Sequence, residues 1–217
     1  MVIIPAELIS EFLREANARM RDMMAAFMNE QITRANSPKG QNVASAGLIN
    51  KFPGVVPPGD ARLNGTSYAQ WAAAWWQWAL EMPRTNSLGA IHPFIDSPRF
   101  DVTESQSSEV WFLAAPFPAS PSAGPVQRRC QIPFGKALFF PLFNVECSNI
   151  EPPPFFGATA EGQVAMAEYF ANHATNLFCE IDGIPLANLD TYRVPSPQVC
   201  FYAPAPWIQS EAGGIGI

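Results

Sequence analysis

The sequence predicts a mainly β protein, a jelly-roll-like β-sandwich with two or three helices, preceded by a long N-terminal helix. Three observations carry that expectation. Short apolar runs of strand composition recur from residue 87 to residue 202. They are separated by turn formers: the 22 prolines among 217 residues are about twice the usual share, and 14 glycines accompany them. Helical periodicity is confined to a few segments. Many short strands with Pro/Gly turns close as a sandwich or a barrel. The domain plan is then a helix over residues 1–35, a Pro/Gly-rich linker or arm over 36–64, and a β-rich domain over 65–217.

Residues 6–34 read as one amphipathic helix. Ile9, Phe12, Leu13, Ala16, Met20, Met23, Met24, Phe27 and Met28 recur at three- and four-residue steps. Pro5 suits the first turn, and Glu15 and Arg19 stand in the favourable i, i+4 order. The stripe is rich in Met, which fills irregular contact surfaces. It serves either to pack the helix on its own domain or to dock it on a neighbour; in the second case Phe12, Met20, Met24 and Phe27 are the assembly residues. Its polar face is not enriched in Lys or Arg, which disfavours a membrane-surface helix. Residues 36–64 carry Ser37-Pro38-Lys39-Gly40, Pro53-Gly54 and Pro57-Pro58-Gly59-Asp60, the composition of an extended arm.

Four of the six tryptophans fall within residues 67–80. Ser67 and Gln70 form a capping-box pattern at its start, and Pro83 stops it. Trp71, Trp75 and Trp78 share one face, with Trp76 and Leu80 beside it. A helix apolar nearly all round is buried rather than offered as a stacking platform, so Trp71, Trp75 and Trp78, with Trp111 from the next strand, are assigned to the core.

Strand and turn signals follow. Val110-Trp111-Phe112-Leu113-Ala114 is a short apolar run, and residues 127–132 read as a strand. Residues 137–143 read as a buried strand interrupted by Pro141, which marks a bulge or an edge. Residues 159–175 form a second amphipathic helix, with Val164, Ala167, Phe170, Ala171 and Ala174 on one stripe. Leu177, Cys179 and Ile181 alternate as a strand does, and Asp182-Gly183 is a hairpin turn signal. Residues 192–194 and 199–202 add further strands.

Composition narrows function. Hydrophobic residues make up 48% and aromatics 12%, enough for a core; charged residues at 15% are few, which leaves a rather neutral surface. A net charge of -6 with scattered Lys and Arg disfavours nucleic acid as a partner. No run of about twenty apolar residues forms a transmembrane segment, and no charged start with an apolar stretch and a cleavage site reads as a signal peptide. Cys130, Cys147, Cys179 and Cys200 are too widely spaced for a zinc knuckle. Two disulfides or four free thiols are both open, with free thiols favoured.

Several motifs occur in a fixed order: Gly65-Thr66-Ser67-Tyr68-x-x-Trp71, Trp75-Trp76-Gln77-Trp78-Ala79, Val110-Trp111-Phe112-Leu113-Ala114, Cys130-x-x-Pro133-x-Gly135-Lys136-Ala137-Leu138-Phe139-Phe140-Pro141, Asn144-x-Glu146-Cys147-Ser148 and Ile181-Asp182-Gly183. As a set, spanning residues 65–202, they resemble a group of uncharacterised bacterial proteins that are β-rich and often exported. The resemblance implies location outside the cytoplasm and lends no activity and no catalytic residues. Members commonly carry a cysteine upstream of the Val-Trp-Phe-Leu strand that could pair with the one at position 130; residues 101–109 hold none here. Members also run on through another strand or two, and the N-terminal helix lies outside the resemblance.

No catalytic constellation stands out. The histidines are His92 and His173, and no H-E-x-x-H or G-x-S-x-G motif occurs. A metal site would have to join His92 to Asp96, Asp101 or Glu104 at generic spacing. Glu146 and Glu151 are a conceivable acid–base pair for a glycan, although a strand-end role for Glu146 is the simpler reading. Cys147 lacks the basic neighbour a nucleophile needs. Catalytic, metal and cofactor residues are therefore not assigned. The leading expectation is a non-enzymatic structural protein that packs as a homo-oligomer or larger particle, layer or filament through its N-terminal helix and arm. The first rival is a carbohydrate- or ligand-binding surface module with Trp207, Tyr202 and Glu146 facing the ligand. The second is a hydrolase using a metal or the carboxylate pair.

Overall fold

The computed structural model describes residues 55–56, 59, 62–106, 109–117 and 125–217. The chain divides into two units, Met1–Gly47 and Leu48–Ile217, and every described residue belongs to the second. The expected helix over 1–35, with Phe12, Met20, Met24 and Phe27, and nearly all of the 36–64 arm lie outside the described residues.

The elements run β1 (Arg62–Leu63), β2 (Thr66–Ser67), α1 (Tyr68–Leu80), β3 (Val110–Phe112), β4 (Ala137–Phe139), α2 (Ala160–Asn172), β5 (Glu180–Ile181), β6 (Ile184–Pro185), a 3-10 turn (Leu189–Tyr192), β7 (Phe201–Ala203) and β8 (Gly214–Gly216). The strands pair only in twos. β1 with β2, β5 with β6, and β7 with β8 are antiparallel; β3 with β4 is parallel, Val110 opposite Ala137 and Phe112 opposite Phe139. The architecture is mixed α/β, with two helices and several two-stranded sheets, and no sandwich or barrel is identified among the described residues. This corrects the jelly-roll expectation. The apolar runs are real, but proline cuts their ladders short because it offers no N–H. The run from 137 pairs only as far as Phe139, short of Pro141, while residues 127–132 and 192–194 form no strand.

α1 starts as its sequence requires. Gln70 N–H donates to Ser67 Oγ at 3.3 Å, and Ser67 N–H donates back to Gln70 Oε1 at 2.9 Å. Its C-terminal carbonyls need outside donors, because Pro83 has no N–H to give to Ala79. His92 Nε2–H donates to Ala79 O at 2.8 Å, and Trp207 Nε1–H donates to Leu80 O at 2.8 Å. Within the helix, Trp75 Nε1–H reaches Leu113 O (2.9 Å) and Trp78 Nε1–H reaches Glu104 O (2.8 Å). Trp75, Trp78 and Trp207 thus bury large apolar bodies while their single polar atoms bind the surrounding chain, whereas the buried Nε1–H groups of Trp71 and Trp111 find no partner.

The core lies on both sides of α1. Trp75, Trp78, Ala79 and Met82 pack with Phe94, Val102, Val110 and Phe112, while Leu80 packs with Phe201, Ala203 and Trp207. Trp76 touches both clusters. Arg128 ties the intervening loop down: its guanidinium donates to Pro93 O (2.5 Å) and Ile95 O (2.7 Å) and lies 4.3 Å from the Phe100 ring centroid. α2 is capped by Thr159, whose Oγ1 accepts from Gly162 N–H at 3.2 Å.

Candidate functional site

Beside α1 the domain encloses a cavity of about 1200 Å³. Trp71, Ala72, Trp75, Trp76 and Leu80 of α1 form one wall. Residues from β4 onward, including Phe139, Phe140, Leu142 and Phe143, form a second, and Val164, Ala167 and Ala171 of α2 a third. The mouth is marked by side chains that line the cavity yet stay exposed: Leu138 (48%), Phe143 (47%) and Val164 (54%). The apolar stripe of α2 therefore borders open space. Its amphipathic pattern was legible in the sequence, but the helix meets a cavity instead of a filled core.

Among the polar residues of the wall is Glu146, which has a second carboxyl, Glu151, next to it in the interior. Glu146 and Cys147 line the cavity; Glu151 stands behind them, 4% exposed. The chain folds back on itself after Ser148, with Glu151 inside the return. Ser148 bridges Phe156 in parallel, Ser148 N–H donating to Phe155 O (3.2 Å) and Gly157 N–H to Ser148 O (2.8 Å). Position 157 must be glycine for this return, since a Cβ there would lie 2.5 Å from Gln163 Cγ. Buried Gln163 then locks α2 to the return, donating through Nε2 to Gly157 O (2.9 Å) and Ile217 O (2.8 Å).

The two carboxyls act on each other as neighbouring buried groups. Burial first, and then Glu146 beside it, pushes the Glu151 carboxyl up to about 10. Burial raises Glu146 as well, against the lowering effect of its hydrogen-bonding neighbours Glu151 and Ser148. No cation is among the groups acting on either carboxyl. The Ser148 hydroxyl approaches Glu146 but, wholly buried, completes no hydrogen bond of good geometry; Glu151 Oε2 is also buried without a partner. The Cys147 thiol is raised to about 12 by burial and by both carboxyls, so it stays protonated and poorly nucleophilic at neutral pH.

These positions decide several sequence expectations. Of the two carboxyls weighed as an acid–base pair, Glu146 lines the cavity, and Glu151 is buried and is not among the lining residues. His92 is not gathered with Asp96, Asp101 or Glu104 as a ligand set: it is 2% exposed, and both ring nitrogens are taken, Nε2 by Ala79 O and Nδ1 by Phe94 N–H at 3.0 Å. Among the described residues no three His, Cys, Asp or Glu side chains converge as metal ligands. Trp207, expected to face a ligand, is instead wholly buried, because its indole completes the C-terminus of α1. Tyr202 is 64% exposed, and Glu146 is the expected ligand-facing residue that lines the cavity. Trp75, Trp78 and Trp111 are buried and Trp71 is half-buried at the cavity edge. All four thiols are free, Cys147 and Cys179 buried, Cys130 and Cys200 exposed. No described helix is long and apolar enough to cross a membrane.

Gln163 and the cavity face of α2 line the candidate site, and the sequence reading did not assign them to it. The stripe at Val164, Ala167 and Ala171 was the available signal; its neighbours come from distant segments. Comparison with family models, with curated proteins and with solved structures returns no match.

Proposed function

We propose that this domain binds a small, largely apolar ligand in the cavity between α1, the β4 segment and α2. The observation that carries this reading is the cavity itself: about 1200 Å³, partly open, walled by aromatic and aliphatic side chains such as Trp71, Trp75, Trp76, Phe139 and Val164, with polar groups including Glu146 and Gln163 among them. Apolar walls with convergent polar groups are how small-molecule sites are built. Dedicated catalysis has weaker support, since Glu151 does not line the cavity and the adjacent Cys147 thiol is held protonated.

Three of the cavity-lining side chains, Trp71, Trp75 and Trp76, are indoles, so ligand entry should change tryptophan emission. The test is titration of the full chain with decanol and related short-chain amphiphiles, beside Ala167→Phe, which places a ring in the cavity from α2. Saturable binding by the parent and its loss in a folded Ala167→Phe protein support the site. Equal binding by both proteins, or none by the parent, rejects it.

Assembly is a second reading, favoured by a different observation. Phe134, Leu88, Phe178 and Ile215 are 106%, 90%, 70% and 65% exposed, more large apolar surface than a solitary domain usually leaves bare. Light scattering of the full chain from micromolar to millimolar concentration tests it, beside Phe134→Ser/Phe178→Ser. A mass that rises with concentration and falls in the double variant supports assembly; a monomer throughout rejects it.

A further inference from the structure

We infer that the ligand is a chain-bearing lipid, its hydrocarbon lying along the cavity and its polar head left at the exposed rim. This rests on the cavity being a ligand site. Two observations point to a chain, and the first is length. α1 lines the cavity from Tyr68 to Leu80, and α2 lines it from Ala160 to Ala171. At about 1.5 Å of rise per residue, the lining runs about 18 Å along one helix and about 17 Å along the other. The space is therefore a trough nearly as long as either helix. A compact ligand would leave much of its apolar wall in water, and a hydrocarbon chain would cover it.

The second observation is how polarity is arranged. The deepest lining side chains are apolar: Trp75, Leu80, Val110 and Phe201 are each at most 3% exposed. Gln163 is a buried polar side chain of the lining, and its hydrogen bonds are already made. Its Nε2 donates to Gly157 O and Ile217 O, and its Oε1 accepts from Gln198 Nε2 at 3.1 Å. The charged lining residues Glu168, Glu180, Asp182, Asp190 and Arg193 are all exposed, with Lys136 and Glu146 half-buried. An apolar floor beneath a polar rim complements an amphiphile, chain inside and head in water. Charges of both signs stand along the rim, so chain length is what should set affinity.

The experiment titrates full-length protein with hexanol, octanol, decanol and dodecanol below their solubility limits, read by tryptophan emission and by calorimetry. Affinity should rise roughly fourfold with each methylene through the whole series. Cyclododecanol carries its carbons in a compact ring and should bind roughly tenfold weaker than dodecanol, after correction for its partition into hydrocarbon. Ala171→Phe blocks one end of the trough. It should bind octanol as the parent does and lose most of the gain from octanol to dodecanol. Ala160→Phe, at the other end of α2, serves should Ala171→Phe fold poorly, with the same loss expected. Didecanoyl phosphatidylcholine offered as vesicles identifies the source. Protein that leaves the vesicles with lipid bound takes a two-chain bilayer lipid; protein that binds the dissolved alcohols alone takes a single-chain one. A gain that stops at octanol in the parent, a ring bound as tightly as the chain, or an undiminished chain-length gain in both folded variants would overturn the inference while leaving the cavity reading intact. Failure of every alcohol to bind would overturn both.

Discussion

His92 makes folding stability depend on acid by an amount that its two hydrogen bonds explain. Nε2–H caps the Ala79 carbonyl that Pro83 cannot serve, and Nδ1 accepts the Phe94 amide. A second ring proton would have to go on Nδ1 and would displace that amide inside the core. Burial first, opposed by the Ala79 bond and reinforced by the Arg128 cation, lowers the ring from 6.5 to about 4. The folded protein therefore refuses a proton that the unfolded chain accepts between those values. Stability from this group is complete above pH 6.5 and is lost as pH falls toward 4. At 1.36 kcal/mol per pH unit, the loss totals about 3 kcal/mol. The assay is denaturant unfolding of the parent and of His92→Gln from pH 4 to pH 7. The variant loses a fixed amount at pH 7, and the gap should close by about 3 kcal/mol at pH 4, other groups titrating alike in both. Since the chain has two histidines, proton NMR assigns them with one variant. Parallel stability curves, or a His92 resonance that titrates near 6.5, would refute the reasoning.

Other positions give equally direct tests. Glu151→Gln replaces a carboxyl that stays protonated in the fold while the unfolded chain ionises it. Because the folded value lies above the unfolded one, the parent loses stability as pH rises past about 4.5. The variant should gain on the parent steadily through that range, on the order of 2–3 kcal/mol at pH 7 by denaturant titration. A gap that stays constant with pH would contradict it. Arg128→Met strips donors from the carbonyls of Pro93 and Ile95 and should destabilise by about 2–4 kcal/mol in the same assay. Loss below about half a kilocalorie would mean that water replaces the guanidinium. Gly216→Ala would place a methyl 2.2 Å from Cζ of the buried Phe201 ring; a loss of about 2 kcal/mol or more in thermal unfolding is expected, and an unchanged midpoint would disprove the close approach.

What could be read from the sequence was local. Ser67 and Gln70 announced a capping box because both partners sit within one helical turn, and the crowd of tryptophans after them had to be buried whatever surrounded it. Asp182-Gly183 marked the β5–β6 turn for the same reason. No sandwich is identified among the described residues: the apolar run before Pro141 has strand composition, but its ladder ends at Phe139. His92 and Trp207 looked like a loop histidine and an exposed aromatic. Their roles at the end of α1 follow from carbonyls left open there, and the partners lie 13 and 127 residues away in the chain. Glu146 and Glu151 were visible as two letters five apart, whereas the return that bonds Gly157 to Ser148 and Gln163 is foretold by no spacing rule.

That pair also separates a structural role from a binding one. A buried carboxyl that serves only the fold is best satisfied by donors or a cation, and a pair with neither opposes folding above the carboxylate range. Glu151 has its neighbour's oxygen on one side and an empty acceptor on the other. Ser148, close by and wholly buried, is also unsatisfied. For stability alone a glutamine would serve better at position 151. Of the two, Glu146 lines the cavity and Glu151 does not, so Glu151→Gln should firm the fold above the carboxylate range. If the substitution firms the fold and leaves cavity binding untouched, Glu151 belongs to the fold alone; a change in binding as well would mean that it acts on the cavity through Glu146.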